Sequence, residues 1–329
     1  MSRTRLSVLT ALCTVATLFA AGCGATTENP ADQGGGNGGD GAECTPGEPS
    51  DVADPKPLDV DVAADSALGG QVPASVKADG KIVIASDASY APNEYTLEGS
   101  DEIIGMDVDL GKALGKVLGV EVEFVNASFD GILAGLDAGR YELGMSSFTD
   151  TKEREQTVDF VTYFEAGTST MVRKCNPKGI ETIEDLCGKT VGAQNGTTQL
   201  DQLTKADVEG SVVKACEDAG KEPPTAQGFP KQTDVNAALA ANRIEAYMAD
   251  SPVVDYAVKK TGEAFEKAGD DTDTAPYGIA IPKNAGTMKE ALQGAVQKLI
   301  DDGSYQEILD NWGTSGGAIT ESKINGAIY

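Results

Sequence analysis

A chain of 329 residues with 52 acidic and 26 basic side chains, a net charge of −26 and no histidine is a poor partner for nucleic acid, because phosphate binding needs a basic face. The missing imidazoles also exclude His-based triads, His-ligated zinc and imidazole proton shuttles. The length leaves room for one large or two modest domains.

Arg3 and Arg5 precede an apolar run from Leu6 to Ala21. That run is short for a membrane span, and its charged start with small residues near the end reads as an export signal. Cys23 follows Ala20-Ala21-Gly22 directly, an ending that resembles the lipobox of bacterial lipoproteins. The resemblance implies a signal peptide over 1–22 and a lipid on Cys23; an ordinary signal peptide is the alternative. Several acyl chains hold a protein on a membrane where one is marginal. Residues 23–74 then read as an acidic, Gly/Pro-rich tether. Between 24 and 70 they carry ten acidic residues against a single Lys56, with Gly34-Gly35-Gly36-Asn37-Gly38-Gly39 among them. Low hydrophobicity and like charge keep such a segment extended, and its sign argues against an anionic surface as partner.

The folded part starts near Lys81. Ile82–Ala85 is a predicted strand that delivers Asp87, Ser89 and Tyr90 to its C-terminal end. After Gly105 an amphipathic helix follows, with Val108, Leu110, Ala113, Leu114, Val117 and Leu118 on one side. Val120–Phe124 predicts a strand, Ile132–Leu136 a short helix and Tyr141–Met145 a third strand. Such alternation implies a parallel sheet whose ligands sit beyond the strand C-termini. The third strand runs into Ser146-Ser147-Phe148-Thr149-Asp150-Thr151-Lys152-Glu153-Arg154. Thr151 suits a helix N-cap, which puts Arg154 on the first turn, free to swing back over the strand end. A guanidinium beside the Ser147 and Thr149 hydroxyls suits a bidentate carboxylate; a plain surface charge is the alternative.

The alternation then resumes. Thr168–Arg173 reads as a strand, Thr182–Leu186 as a short helix and Thr190–Ala193 as a strand. Gln194-Asn195-Gly196-Thr197-Thr198 opens the next helix and offers either an anion site or only a capped start. Thr225–Phe229 is a predicted strand and Thr233–Ala241 a helix. The strand Ala246–Ala249 ends on Asp250, before the helix that Ser251-Pro252 opens. Asp250 can accept from an ammonium, or simply cap that helix. Tyr277–Ile281 returns to strand, with helices at Met288–Leu299 and Tyr305–Trp312.

Outside the signal and Cys23, Cys44, Cys175, Cys187 and Cys216 remain. An even number in an exported chain suggests disulfides, with three connectivities open. Cys187 sits just before one predicted strand and Cys216 shortly before the next. In a right-handed strand–helix–strand unit both lie at the same end of the sheet, which favours Cys187–Cys216 and leaves Cys44–Cys175. The spacings match no usual metal-ligand pattern, and no metal or cofactor is expected.

Several stretches together resemble the family 3 solute-binding proteins, the polar amino-acid receptors of ABC uptake systems. They are Asp87-Ala88-Ser89-Tyr90-Ala91-Pro92-Asn93-Glu94-Tyr95, Ile104-Gly105-Met106-Asp107-Val108-Asp109-Leu110, Phe129-Asp130-Gly131-Ile132 and Ser147 to Arg154 with Val158-Asp159-Phe160. Val191 to Gln199, Ala249-Asp250-Ser251 and the stretch from Asp302 to Gly313 complete the set. The resemblance covers roughly residues 80 to 315. It implies an α/β, two-lobed periplasmic-binding-protein-like (type II) fold with two hinge crossovers. Lobe 1 is expected at 75–168 with 275–329, and lobe 2 at 169–274.

By the same resemblance Arg154 holds the α-carboxylate of a free L-amino acid, helped by Ser147, Thr149 and Thr198, with Gln194 and Thr197 in the same set. Asp250 takes the α-ammonium from the other lobe, Tyr90 and Phe129 flank the side chain, and Asp87 meets its far end. Many relatives carry an aromatic where this chain has Asn93, which implies a more polar pocket and a neutral polar or cationic ligand. The implied partners are an ABC permease and, through the lipid on Cys23, the extracytoplasmic face of the cell membrane; the protein is expected to be a monomer. An exported dehydratase of amino-acid-like substrates and a ligand sensor are the alternatives.

Overall fold

The computed structural model describes residues 53–262 and 264–329. The export signal, Cys23, Cys44 and the first part of the tether lie outside the described residues. Two short helices, α1 (Ser66–Gln71) and α2 (Ala74–Asp79), precede β1 (Lys81–Ser86), β2 (Ser89–Tyr90), β3 (Glu94–Thr96) and β4 (Ile103–Ile104). Next come α3 (Met106–Leu118), β5 (Glu121–Asn126), α4 (Phe129–Asp137), β6 (Leu143–Gly144) and the long strand β7 (Val158–Arg173). Beyond it lie β8 (Thr190–Gln194), α5 (Thr198–Thr204), α6 (Val212–Asp218), β9 (Thr225–Phe229), α7 (Gln232–Ala240), β10 (Ala246–Asp250) and α8 (Ser251–Lys260). A second long strand, β11 (Phe265–Pro282), leads to α9 (Met288–Asp302) and α10 (Ser304–Trp312). Among the described residues no helix is long and apolar enough to cross a membrane.

One eight-stranded sheet takes the order β5-β1-β6-β11-β7-β10-β8-β9. At one end β1 runs parallel to β5 and β6; at the other β8 runs parallel to β9 and β10. The antiparallel pair β7–β11 stands between them and belongs to both. Helices cover both faces of each half, as parallel strands require. In the first half α3, α9 and α10 bury Leu110, Leu114, Leu292, Val296 and Trp312 on one face, and α4 buries Ile132 and Leu136 against Phe148 and Phe160 on the other. The second half has its own cores, Val191, Leu203, Val212 and Met248 on one face and Val235, Leu239, Tyr247 and Val254 on the other. Each such side chain, fully buried, contributes about 1.5–3 kcal/mol. β7 gives Val161, Tyr163 and Phe164 to the first core and Met171 and Val172 to the second set.

Sequence pattern divides β7 and β11 into shorter pieces than the fold does. Thr168 reads as a strand start, yet β7 runs unbroken from Val158. The Gly269-to-Thr274 stretch of β11 has loop composition, yet it pairs along β7 with register shifts around Thr272. Here the two strands pass closely. A Cβ on Gly167 would stand 3.0 Å from the Asp271 Cβ and the Thr272 carbonyl oxygen, a tight contact that glycine avoids without any shift of the neighbouring strand. This crossing is the place where one half passes into the other.

The helix expected after Thr151 is a single 3₁₀ turn, Arg154–Gln156, before β7 begins. Thr151 Oγ1 does accept from the Arg154 N–H at 3.2 Å. The tether needs a larger correction, because residues 53–74 pack on the fold. Val60 and Val72 are buried in the first core, and the Leu58 N–H donates to Asp109 Oδ2 at 2.8 Å. Lys116 Nζ donates to the Val60 carbonyl at 2.7 Å, and Asp65 caps α1. Asp54 meets α8 instead, through Lys260 at 2.9 Å and the Tyr256 hydroxyl. Charge density hid this segment; the alternation Leu58, Val60, Val62 is the signal of its packing.

Cys187 is bonded to Cys216 with 5.6 Å between Cα atoms. Cys216 sits within α6, after α5 and ahead of β9. Cys175 is disulfide-bonded too, while its expected partner Cys44 lies outside the described residues. The Cys187–Cys216 bond closes 29 residues, and loop-closure entropy at that length stabilises by roughly 3.5 kcal/mol. Replacing both cysteines by serine should lower the unfolding free energy by that order in urea titrations. An unchanged midpoint would show that the loop is ordered without the bond.

Candidate functional site

The ends of the strands of both halves meet in one narrow cleft, lined by Asp87, Tyr90, Glu94, Phe129, Ser146, Ser147, Thr149, Arg154, Gln194, Thr197, Thr198, Gln199 and Asp250. Ten of the eleven predicted ligand contacts are among them. Asn93 is not. It is wholly buried behind the cleft, where its Nδ2 donates to Ser147 Oγ at 2.9 Å. Its polarity therefore sets the Ser147 hydroxyl rather than making the pocket wall itself more polar.

Arg154 reaches the cleft from the 3₁₀ turn. Its Nη1 donates to the Thr149 carbonyl at 2.8 Å and its Nη2 to the Gly196 carbonyl at 2.9 Å, one from each half. Phe129 and Phe148 stack with ring centroids 4.5 Å apart, and the guanidinium carbon lies 5.8 and 5.5 Å from those two rings. Stacked and doubly anchored, the group keeps three of its five N–H donors for an anion.

Asp250 closes β10 and faces the same space. Gln199 Nε2 donates to its Oδ1 at 2.7 Å and the Tyr277 hydroxyl to its Oδ2 at 2.8 Å. Its own N–H donates to the Tyr90 hydroxyl across the halves at 3.1 Å. Burial pushes the carboxyl up, opposed by Tyr277, Tyr90, Gln199 and the Arg154 charge. Burial in turn lowers Arg154 while Asp250 raises it. A positive and a negative group thus stand at one cleft, each held by neutral partners.

Asp87 follows β1. Its Oδ1 accepts from Ser89 Oγ at 2.5 Å, and its Oδ2 from the Phe129 N–H at 3.0 Å and from Gln194 Nε2 at 3.1 Å. Burial raises it, and the Ser89 and Phe129 bonds lower it. Gln194 is thereby a bridge between halves. Thr197 Oγ1 donates to the Gln194 carbonyl at 2.7 Å and accepts from the Leu200 N–H at 3.2 Å. That hydroxyl caps α5 and is committed to it. Ser147 is left-handed, with φ +52°, uncommon for a residue with a Cβ. Its N–H donates to Asp107 Oδ2 at 3.1 Å and its hydroxyl to Glu94 Oε2 at 3.1 Å. With its proton on Glu94, that hydroxyl faces the cleft as an acceptor, which suits N–H groups better than a carboxylate.

Five residues at or beside the cleft escaped sequence reasoning as contacts: Glu94, Ser146, Phe148, Gln199 and Tyr277. Glu94 was legible only through the β2–β3 pairing that sets it opposite Tyr90. Tyr277 comes near through a bridge to Thr149, a contact 128 residues away in sequence that no local pattern reports.

Residues 82–315 match the bacterial extracellular solute-binding proteins, family 3. The chain is 31% identical over 259 residues, 78% of its length and 82% of the relative's, to the arginine-binding protein ArgT of Corynebacterium glutamicum. It is 30% identical over 239 residues, 72% of its length and 84% of the relative's, to the L-cystine-binding protein TcyJ of Escherichia coli. An ancestral arginine-binding protein solved with arginine superposes with a TM-score of 0.63 at 32% identity, covering 71% of this chain and 98% of that one.

Proposed function

The chain belongs to the bacterial extracellular solute-binding proteins of family 3, and from that premise we propose that it captures a free cationic L-amino acid, arginine first, and passes it to an ABC permease. Capture works by closing two halves of one sheet about the β7–β11 crossing. The carrying observation is the charge count of the cleft, one guanidinium against the three carboxyls Asp87, Glu94 and Asp250. Burying a zwitterion is tolerable only when both its charges are paired. Arg154 takes the carboxylate and Asp250 the ammonium. Asp87 and Glu94 are left over, and a positive side chain satisfies them. Because Arg154 and Asp250 come from different halves, the ligand bridges them and favours the closed form. The name of one relative, arginine-binding, points the same way for ligand class, whereas that of the other, L-cystine-binding, names a neutral ligand and supports only amino-acid capture.

Cys23 carries the lipid in this reading, and the protein works as a monomer on the outer face of the membrane. Catalysis is not part of it. One similar solved protein is described as an ancestral amino-acid-binding protein and a precursor of cyclohexadienyl dehydratase, so ligand recovered after long incubation should be shown by mass spectrometry to be unchanged.

The test of capture is a thermal-shift screen against the amino acids. Ligand at a thousandfold over Kd adds about 4 kcal/mol to the native state, a rise on the order of 10 °C. Arginine should give the largest rise, lysine and ornithine less, and glutamate none. A larger rise with glutamine would assign a neutral ligand, and no rise with any amino acid would end the reading.

A further inference from the structure

Glu94, which the cationic side chain meets in that reading, is paired beneath the cleft with a second carboxyl that capture itself does not use. Glu94 on β3 and Asp107 in the first turn of α3 are both wholly buried, and Ser147 donates to both, its N–H to Asp107 and its hydroxyl to Glu94, which sets the two carboxyls side by side. Ser146 and Ser147 hydroxyls donate to the two Glu94 oxygens at 2.9 and 3.1 Å. The Tyr163 hydroxyl and the Ser147 N–H donate to Asp107 Oδ2 at 2.8 and 3.1 Å. Asp107 Oδ1 is buried and takes no bond from any protein N–H or O–H. The other groups facing the pair are Tyr90 from β2 and Tyr163 from β7, with Asp87, Arg154 and Asp250 across the cleft. Among the described residues no lysine or arginine bonds to either carboxyl. Two ionised carboxylates in contact would repel strongly and leave Oδ1 orphaned. One proton held between them removes both costs.

Ser146 connects this pair to Asp87, accepting from the Asp87 N–H at 2.9 Å while donating to Glu94. A cation that meets Glu94 from the cleft stands beside one of the two carboxyls that share the proton. An opposite charge within about 4–6 Å lowers a carboxyl pKa by about 1–3. We propose that Glu94 and Asp107 form a proton-linked specificity element, which holds one shared proton in the free protein, releases it to solvent when a cationic side chain enters, and keeps it when the side chain is neutral. This rests on the amino-acid capture argued above. Burial pushes both carboxyls up, Asp107 to about 7, so the exchange falls in the neutral range.

Isothermal titration calorimetry at pH 7 in buffers of different ionisation enthalpy counts the proton, with arginine and glutamine as the probes. Arginine should release about half a proton at this pH, rising toward one at about pH 6, and glutamine none. Arginine's Kd should tighten by up to tenfold per pH unit from pH 5 to 7, and Glu94→Gln or Asp107→Asn should abolish the release. Heat with arginine that does not depend on the buffer overturns the proposal while capture stands, as does full release from Glu94→Gln. No heat with any amino acid overturns both. Should Glu94→Gln not fold, the buffer series on the natural chain decides alone. The free protein gives an independent readout. A carboxyl raised on folding contributes stability that is present below its unfolded value near 3.8 and lost as pH rises through about 7. The melting temperature of the free protein should fall across that window. Asp107→Asn should flatten part of the fall; Asp150, which burial also raises to about 7, contributes to what remains.

Discussion

Replacing Arg154 by alanine is expected to weaken ligand binding by about three orders of magnitude, roughly 4 kcal/mol, measured by calorimetry against arginine. Truncating one side of a buried charge pair costs about 2–5 kcal/mol, much of it the penalty of leaving the other charge unpaired. Here the unpaired charge is the ligand's own carboxylate, in a cleft already holding three carboxyls. Lysine should rescue little. It cannot stack on the Phe129–Phe148 pair as a planar group, nor reach the Thr149 and Gly196 carbonyls and a carboxylate together. The free protein should lose only about 1 kcal/mol, since two hydrogen bonds and a partly exposed stack disappear. Retention of near-natural affinity in Arg154→Ala would place the carboxylate elsewhere.

How much of this was legible beforehand depends on the range of the signal. Most of the ligand set follows local patterns: a strand that ends, then a hydroxyl, a glycine or an acid at the turn. Asp87, Thr149, Thr198 and Asp250 all stand at such ends, and the parallel sheet then brings the ends together. The same local logic misplaced Asn93, because β3 turns it behind Ser147 and no periodicity reports which way a residue beside Pro92 faces. It missed Tyr277 and Gln199, whose parts are set by the β7–β11 pairing and by the Asp250 carboxylate. The unity of β7 and β11 was also hidden. Glu165 and Gly167 interrupt the apolar run of one, and the acidic stretch Asp270 to Asp273 makes the other read as loop, though pairing between them holds both in strand. The segment from residue 53 to 74 failed for a different reason. Its net charge outweighed a few spaced valines, and those valines decide where it packs.

Asp250→Asn is the companion to Arg154→Ala and separates charge from shape. Asparagine keeps the volume and one carbonyl oxygen, which can still accept from Gln199 Nε2 at the 2.7 Å position. Its NH₂ then faces the Tyr277 hydroxyl, which rotates from donor to acceptor. Both local hydrogen bonds therefore survive, whereas alanine would orphan Gln199 and Tyr277 at about 1–3 kcal/mol for each buried group. Burial already disfavours the Asp250 charge, and its loss is offset by a weaker field on Arg154. The free protein should accordingly melt within a few degrees of the natural chain. Binding should behave otherwise. The ammonium of the ligand loses its counter-charge in a desolvated cleft, and affinity for arginine should fall by about 3 kcal/mol, on the order of a hundredfold. Loss of binding beside an unchanged melt assigns Asp250 to the ligand. A large drop in the melting temperature with binding preserved would instead make its carboxylate a structural partner of Gln199 and Tyr277, and the two-ended capture of a zwitterion would lose its second end.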